Sequence, residues 1–281
     1  LYELLGFMIS RRNFLEAALV GMTVPVLAAD ARRIRIAVKY TMIQEPLDVV
    51  DKFKLLRDLG FDGVEVYARD RKQQDTYLEA REISGLPVHG AINASSPDIA
   101  GGIEMAAALG GDSLLVLAQE NSQLSYEANS ERWRKLITPA IPLAEKHRVR
   151  ILIENVRATH LKTAEGMNRF IDSFANPIVG SYYDTGNAIT WTKQSAEHWA
   201  RVLDERIGKI DVKDRGHAEF GDAKLKSKTA KGTDGGEVNW VEVRRHLRTI
   251  DYRGWATAEV KGGDRKRLAR MARWMDQVLG N

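Results

Sequence analysis

From Ile34 to Leu279 the chain repeats one pattern of apolar and polar positions. A short run rich in apolar and β-branched residues is followed by a longer stretch whose apolar positions recur every three or four residues, and this happens eight times. Continuous apolar runs of this length read as buried strands, and the three-to-four spacing reads as amphipathic helices. Strands are expected at about 34–39, 61–66, 87–92, 113–118, 149–154, 178–183, 207–212 and 255–260. Helices are expected at about 46–59, 74–84, 97–109, 130–147, 164–174, 195–206, 239–250 and 264–279. In the first helix, Leu47, Val50, Phe53, Leu56 and Leu59 form one apolar face, and Gly60 stops it before Phe61 begins the next strand. Leu109-Gly110 closes the third helix in the same way.

Eight alternating strand and helix units predict an α/β fold, a single-domain (β/α)8 TIM barrel over residues 30–281. The competing doubly wound sheet usually carries a glycine-rich first turn, and Lys39-Tyr-Thr-Met-Ile-Gln44 is not one. No Pro-rich or Gly/Ser-rich linker divides the chain. The longest irregular stretch, Arg215 to Glu237, follows the seventh strand, which in a barrel lies over the mouth.

The net charge of +4 is small and evenly spread, which argues against a nucleic-acid partner. The absence of cysteine excludes thiol catalysis and thiolate ligands. Residues 1–29 carry a different signal. Ser10-Arg-Arg-Asn-Phe-Leu15 precedes the apolar stretch Ala17–Ala29, the parts of a twin-arginine export signal, with Met8 as its expected start. The expected location is periplasmic or secreted, with no stable membrane anchor once the signal is cleaved. Oligomeric state is left open.

Four acidic residues end or follow successive apolar runs: Glu154, Asp184, Asp211 and Glu259. In a barrel of parallel strands they converge on one mouth, where they repel one another unless a cation joins them. An all-oxygen set favours a hard divalent cation, Mn2+ or Mg2+, over Zn2+. Taken singly, each acid is as readily a salt-bridge partner; four together are better read as a metal site. Glu65, His89, Gln119, Glu120 and Lys213 are the other polar groups read at strand ends. His89 is equally a substrate contact or a satisfied barrel histidine. Lys213, two residues after Asp211, shares its side of the strand.

Several segments carry a resemblance: Gly60-Phe-Asp-Gly-Val-Glu65, Ile151-Leu-Ile-Glu-Asn155, Asp184-Thr-Gly-Asn187, Ile210-Asp-Val-Lys-Asp-Arg215, and Gly236-Glu-Val-Asn-Trp240 leading to Tyr252-Arg-Gly-Trp-Ala-Thr-Ala-Glu259. In this order and spacing the chain resembles the xylose-isomerase-like barrel superfamily of sugar phosphate isomerases and epimerases. The resemblance implies that Glu154 and Glu259 ligate a divalent metal and move the proton, with Asp184 as a further ligand. Asp211 stands where relatives usually carry a ligand histidine, and Asn187 where they often carry a substrate histidine. Substrate contacts are expected from Glu65, His89, Asn187, Lys213 and Arg215. The implied activity is sugar isomerisation or epimerisation through an enediolate, on a small carbohydrate. The alternative is a metal-dependent lyase or hydrolase on 3-keto-glycosides; a non-catalytic sugar-binding protein is a lesser one. The nuclease branch needs a histidine-rich cluster, and the chain has six histidines, of which only His89 is read at a strand end.

Overall fold

The computed structural model describes residues 34–214 and 236–280. The export signal read in residues 1–29 and the substrate contact read at Arg215 lie outside the described residues.

Eight strands close into one parallel barrel in sequence order, β1 (Arg35–Lys39), β2 (Gly63–Tyr67), β3 (Val88–Ala94), β4 (Ser113–Val116), β5 (Arg150–Glu154), β6 (Val179–Asp184), β7 (Ile207–Val212) and β8 (Trp255–Ala258), with β8 pairing back onto β1. The helices are α1 (Val49–Asp58), α2 (Gln74–Ser84), α3 (Ile99–Ala108), α4 (Tyr126–Ile137), α5 (Ile141–His147), α6 (Ala164–Asp172), α7 (Thr185–Trp191), α8 (Ala196–Leu203), α9 (Trp240–Thr249) and α10 (Arg265–Leu279). The (β/α)8 expectation is met.

Local chemistry fixes the boundaries. The Asp48 carboxylate accepts from the Asp51 amide and starts α1, and Asp98 caps α3 through the Gly101 amide. Gly60 and Gly110 follow these helices at φ of 87° and 78°, the left-handed conformation that glycine takes at least cost. The single helix expected at 130–147 is instead α4 and α5 joined by a 3-10 turn, Thr138–Ala140. Pro139 and Pro142 explain the break, since neither can donate a helical hydrogen bond. The expectation also omitted α7, which begins at the residue after Asp184.

Apolar burial is divided between two regions. The larger core fills the layer between strands and helices, and includes Phe53, Trp133, Phe170, Trp199 and Trp240. A smaller cluster, Ile92, Leu115, Leu152 and Tyr182, fills the barrel interior. The interior therefore has a packed middle with polar groups towards each end, as a filled barrel rather than a pore requires.

Candidate metal centre

The pairing register sets the mouth. Asp184 at the end of β6 is the direct partner of Asp211 on β7, and Glu154 at the end of β5 pairs with Tyr182, two residues before Asp184. Glu259 follows β8. One ligand oxygen from each of Glu154, Asp184, Asp211 and Glu259 lies within 4.8 Å of the others. Glu154, Asp184 and Asp211 are buried, while the Glu259 side chain is 31% exposed. All four acids singled out by their position in the sequence thus meet in one place.

Two lysines enter this cluster. Lys213 lies 2.8 Å from both Asp184 Oδ2 and Glu259 Oε2. Lys39, the last residue of β1, lies 2.9 Å from Asp211 Oδ2 and 2.8 Å from Glu259 Oε1. Sequence reasoning missed Lys39. Its signal was available: it closes the run Ile34-Arg-Ile-Ala-Val-Lys39 at the same strand end as the acids. Burial opposes the charge on Lys39, but the surrounding carboxylates, Asp211 first, outweigh burial and raise its pKa. Lys213 is raised against burial by Asp184 and Glu259 in the same way.

A network of neutral groups holds the acids in place. The Asn155 amide clamps the end of β6, its Nδ2 donating to the Asp184 carbonyl and its Oδ1 accepting from the Asp184 amide, both at 2.8 Å. Asp184 Oδ1 accepts from the Asn187 amide at 2.6 Å and so caps α7. Asn187 Nδ2 then donates to Glu154 Oε1 at 2.9 Å. Thr185 fixes the neighbouring loop by donating to the Lys213 carbonyl at 2.6 Å. A Cβ on Gly186 would lie 2.7 Å from Lys213 Cγ, so glycine is needed for that lysine to reach the cluster.

The two glutamates differ in proton affinity. Burial, reinforced by the Glu259 carboxylate, pushes Glu154 up to about 8. For Glu259 burial acts in the same direction, but Lys39 and Lys213 overcome it and hold the group down to about 2. Burial also raises Asp184, to about 6, against the pull of Lys213.

The residues fit a divalent cation. Asp211 Oδ1 is buried without a hydrogen-bond partner among the described residues, an expense that a ligand would remove. Four carboxylates and two ammonium groups, all ionised, leave two negative charges, which one divalent ion neutralises.

Of the other predicted contacts, Asn187 and Lys213 join the cluster. Glu65 faces the interior with no exposure, and its carboxyl is raised by burial against the pull of Lys39 and Lys209. Glu120 pairs with Lys162 at 2.9 Å, outside the cluster. The strand-end placement of His89 is corrected. It is the second residue of β3 and lies at the barrel's N-terminal end, away from the mouth. There Lys209 Nζ donates to His89 Nδ1 at 2.8 Å and to its carbonyl at 2.6 Å, while pairing with Asp112 at 2.5 Å. A lysine donating to Nδ1 leaves the ring proton on Nε2, which faces Thr257 Oγ1 at 3.1 Å. Trp255 stacks on the ring with centroids 4.5 Å apart. Burial, then Lys209, lowers the His89 pKa well below its usual value, so the ring is neutral. This is a satisfied barrel histidine.

The closed parallel barrel with a carboxylate cluster at its C-terminal mouth defines a class of (β/α)8 proteins. Within that class the chain belongs to the xylose isomerase-like TIM barrel family, whose sequence profile matches residues 53–278. No curated protein sequence matches it. Among solved structures it is similar to a 3-keto-D-glucoside 4-epimerase from E. coli, with a TM-score of 0.71 and 15% identity over 88% of this chain and 100% of that one. A D-allulose 3-epimerase from Methylomonas sp. aligns with a TM-score of 0.69 and 16% identity, covering 88% and 99% of the two chains. The IOLI protein, solved with a binding zinc atom, gives 0.69 and 14%, covering 88% and 98%. At these identities the likeness is one of fold.

Proposed function

We propose that this protein is a divalent-metal-dependent sugar isomerase or epimerase that moves a proton at a carbon next to a carbonyl. The observation that carries the reading is the convergence of Glu154, Asp184, Asp211 and Glu259, with two glutamates among the four acids. A carboxylate beside the reacting carbon can accept a proton, and a protonated one can return it. Glu259, which Lys39 and Lys213 keep ionised, is one of the two groups for proton transfer at carbon. Glu154 is the other: one of the pair accepts the proton from carbon and the other returns one. Asn187 fixes Glu154 Oε1. Lys213, 25% exposed in its side chain, is placed to donate to a substrate oxygen.

The four carboxylates would hold the cation, and an all-oxygen set supports Mn2+ or Mg2+. When bound, the ion supplies Lewis-acid stabilisation of negative charge on a substrate oxygen. The epimerase titles of two similar structures, one acting on a 3-keto-D-glucoside and one on D-allulose, support a carbohydrate substrate. The twin-arginine segment supports export to the periplasm.

Incubation with Mn2+ and a panel of ketoses and 3-keto-glucosides in D2O tests the reading. Deuterium is expected at the carbon next to the carbonyl, and a panel without exchange sinks the proposal. A second reading, lyase or hydrolase action on a 3-keto-glycoside, shares the first proton abstraction and is supported by the 3-keto-D-glucoside neighbour. Release of the aglycone, followed beside the exchange, separates the two.

A further inference from the structure

Beside the carboxylate cluster lies a pocket of about 210 Å3. Complete small-molecule sites usually occupy ~300–1,000 Å3, so this one takes a single ring or a short tail of a larger ligand. Asn155 and Asn187 form part of its wall, and they are the residues that clamp Asp184 and Glu154 on the cluster side. The pocket therefore shares a wall with the proposed reaction site. Val156 and Leu161 supply apolar wall.

Two side chains in this pocket are not explained by the fold. Trp191 is 48% exposed, whereas the other five tryptophans are exposed by 7% or less. Its indole N–H donates to Asn187 Oδ1 at 3.2 Å, which pins the ring edge and satisfies its polar atom. What remains open to solvent is carbon surface, a rigid platform of the kind that binding sites display. The Arg157 guanidinium lies 5.2 Å from the Trp191 ring centroid. Among the described residues no carboxylate pairs with it, while the neighbouring Lys162 is occupied by Glu120 and by the Arg157 carbonyl. The Asn155 and Asn187 side-chain amides are already engaged. The polar recognition left to a ligand is thus a planar, cationic fork, which matches an oxyanion.

We propose that this pocket is a subsite for an acidic sugar unit, whose ring stacks on Trp191 and whose carboxylate or phosphate ester is held by Arg157. The inference rests on the carbohydrate reading given above. It narrows the substrate class to saccharides carrying a negative charge outside the carboxylate cluster. A neutral ketose fills the mouth and leaves Arg157 without a partner.

Because Trp191 is the one solvent-exposed tryptophan, quenching of tryptophan emission by acrylamide reports on this pocket without any turnover. The probes are D-glucuronate, D-glucose 6-phosphate, D-glucose and inorganic phosphate, each added to the full chain loaded with Mn2+. One or both acidic sugars are expected to shield the emission at about tenfold lower concentration than D-glucose, as a charge-assisted hydrogen bond requires. Which acidic sugar does so distinguishes a carboxylate from a phosphate ester. Arg157→Gln, an exposed substitution, should abolish the difference between acidic and neutral sugars, and Trp191→Phe should remove the quenchable signal. Equal shielding by D-glucose, shielding by phosphate alone as strong as by its sugar ester, unchanged selectivity in Arg157→Gln, or no shielding by any sugar would each overturn the subsite. Shielding without deuterium exchange in any sugar instead removes the isomerase reading and leaves the subsite standing.

Discussion

Lys39 Nζ stands 2.9 Å from Asp211 Oδ2, and both side chains are almost wholly buried. Asp211 lies on strand 7, so the carboxylate there comes with its own counter-ion from strand 1. Lys39 also reaches Glu259, which makes it a bridge across two of the four acids. Removing one member of a buried ion pair leaves an uncompensated charge and costs about 3–5 kcal/mol. Lys39→Met is therefore expected to lower the thermal midpoint of metal-free protein markedly, and Lys39→Met with Asp211→Asn to recover much of it. Thermal unfolding of the metal-free single and double variants checks this. A single variant as stable as the parent would show that the pair carries little.

Replacing Asp211 by histidine tests the donor argument. A neutral imidazole in place of a carboxylate removes one negative charge and adds a nitrogen donor, which suits Zn2+ better than Mn2+. Asp211→His should raise the affinity for Zn2+ relative to Mn2+ on the order of tenfold. Competition binding with a chromogenic chelator measures the ratio, and an unchanged ratio would remove Asp211 from the ligand set.

The four acids were legible because a carboxylate ending an apolar strand is anomalous, and four successive anomalies on parallel strands have one geometric solution. Lys39 escaped because a lysine closing a strand is ordinary: its long stem usually carries the charge out to water. Here the Asp211 and Glu259 carboxylates turn it inward. His89 was misplaced because the apolar run around it has no hard stop at its C-terminal side. The alternation of a strand tells which face a residue takes, and it does not tell the height in the barrel. The omitted helix α7 has its start signal in Asp184, the residue read as a metal ligand. In the structure Asp184 Oδ1 caps the helix while Oδ2 faces Lys213.

The same elevation of Glu154 predicts how stability follows pH. From the usual carboxylate range up to about 8, the folded metal-free protein keeps a proton on Glu154 that the unfolded chain has released. Stability from this group is therefore present in mild acid and is lost as pH rises through that window. Glu259 runs the other way: held to about 2, it contributes above the usual carboxylate range and loses that contribution only in stronger acid. The metal-free thermal midpoint should fall between pH 5 and pH 8, and Glu154→Gln should flatten the fall. A divalent ion competes with the Glu154 proton, so Mn2+ binding below pH 8 should release protons, measurable by calorimetry in buffers of different ionisation enthalpy.

His89 lies at the far end of the barrel from the cluster, and its substitution should be felt as stability. Removing the ring opens space beneath Trp255 and leaves Lys209 without one of its acceptors. His89→Ala is expected to cost about 2–4 kcal/mol while leaving the Mn2+ dissociation constant within about twofold. Denaturant unfolding and metal titration on the same variant check the two halves. A large loss of metal affinity with stability unchanged would place His89 in the site after all.

Glu154 and Glu259 carry the proposed chemistry, and isosteric amides separate their roles from metal retention. Glutamine keeps an oxygen for the cation and cannot exchange a proton with carbon. Loss of a positioned acid or base costs roughly a hundredfold to ten-thousandfold in rate. Glu259→Gln and Glu154→Gln should each block epimerisation, because one of the two proton-transfer groups is then missing. Whichever variant still washes the label out of a substrate pre-labelled at that carbon, without epimerising it, has lost the group that returns the proton. Asp184→Asn serves as the contrast: it weakens the cluster beside Lys213 and frees α7 from its ionised cap, so metal affinity and activity should fall together. Full exchange and full epimerisation in both glutamine variants would remove the proton-transfer role from the two residues while leaving the metal centre intact.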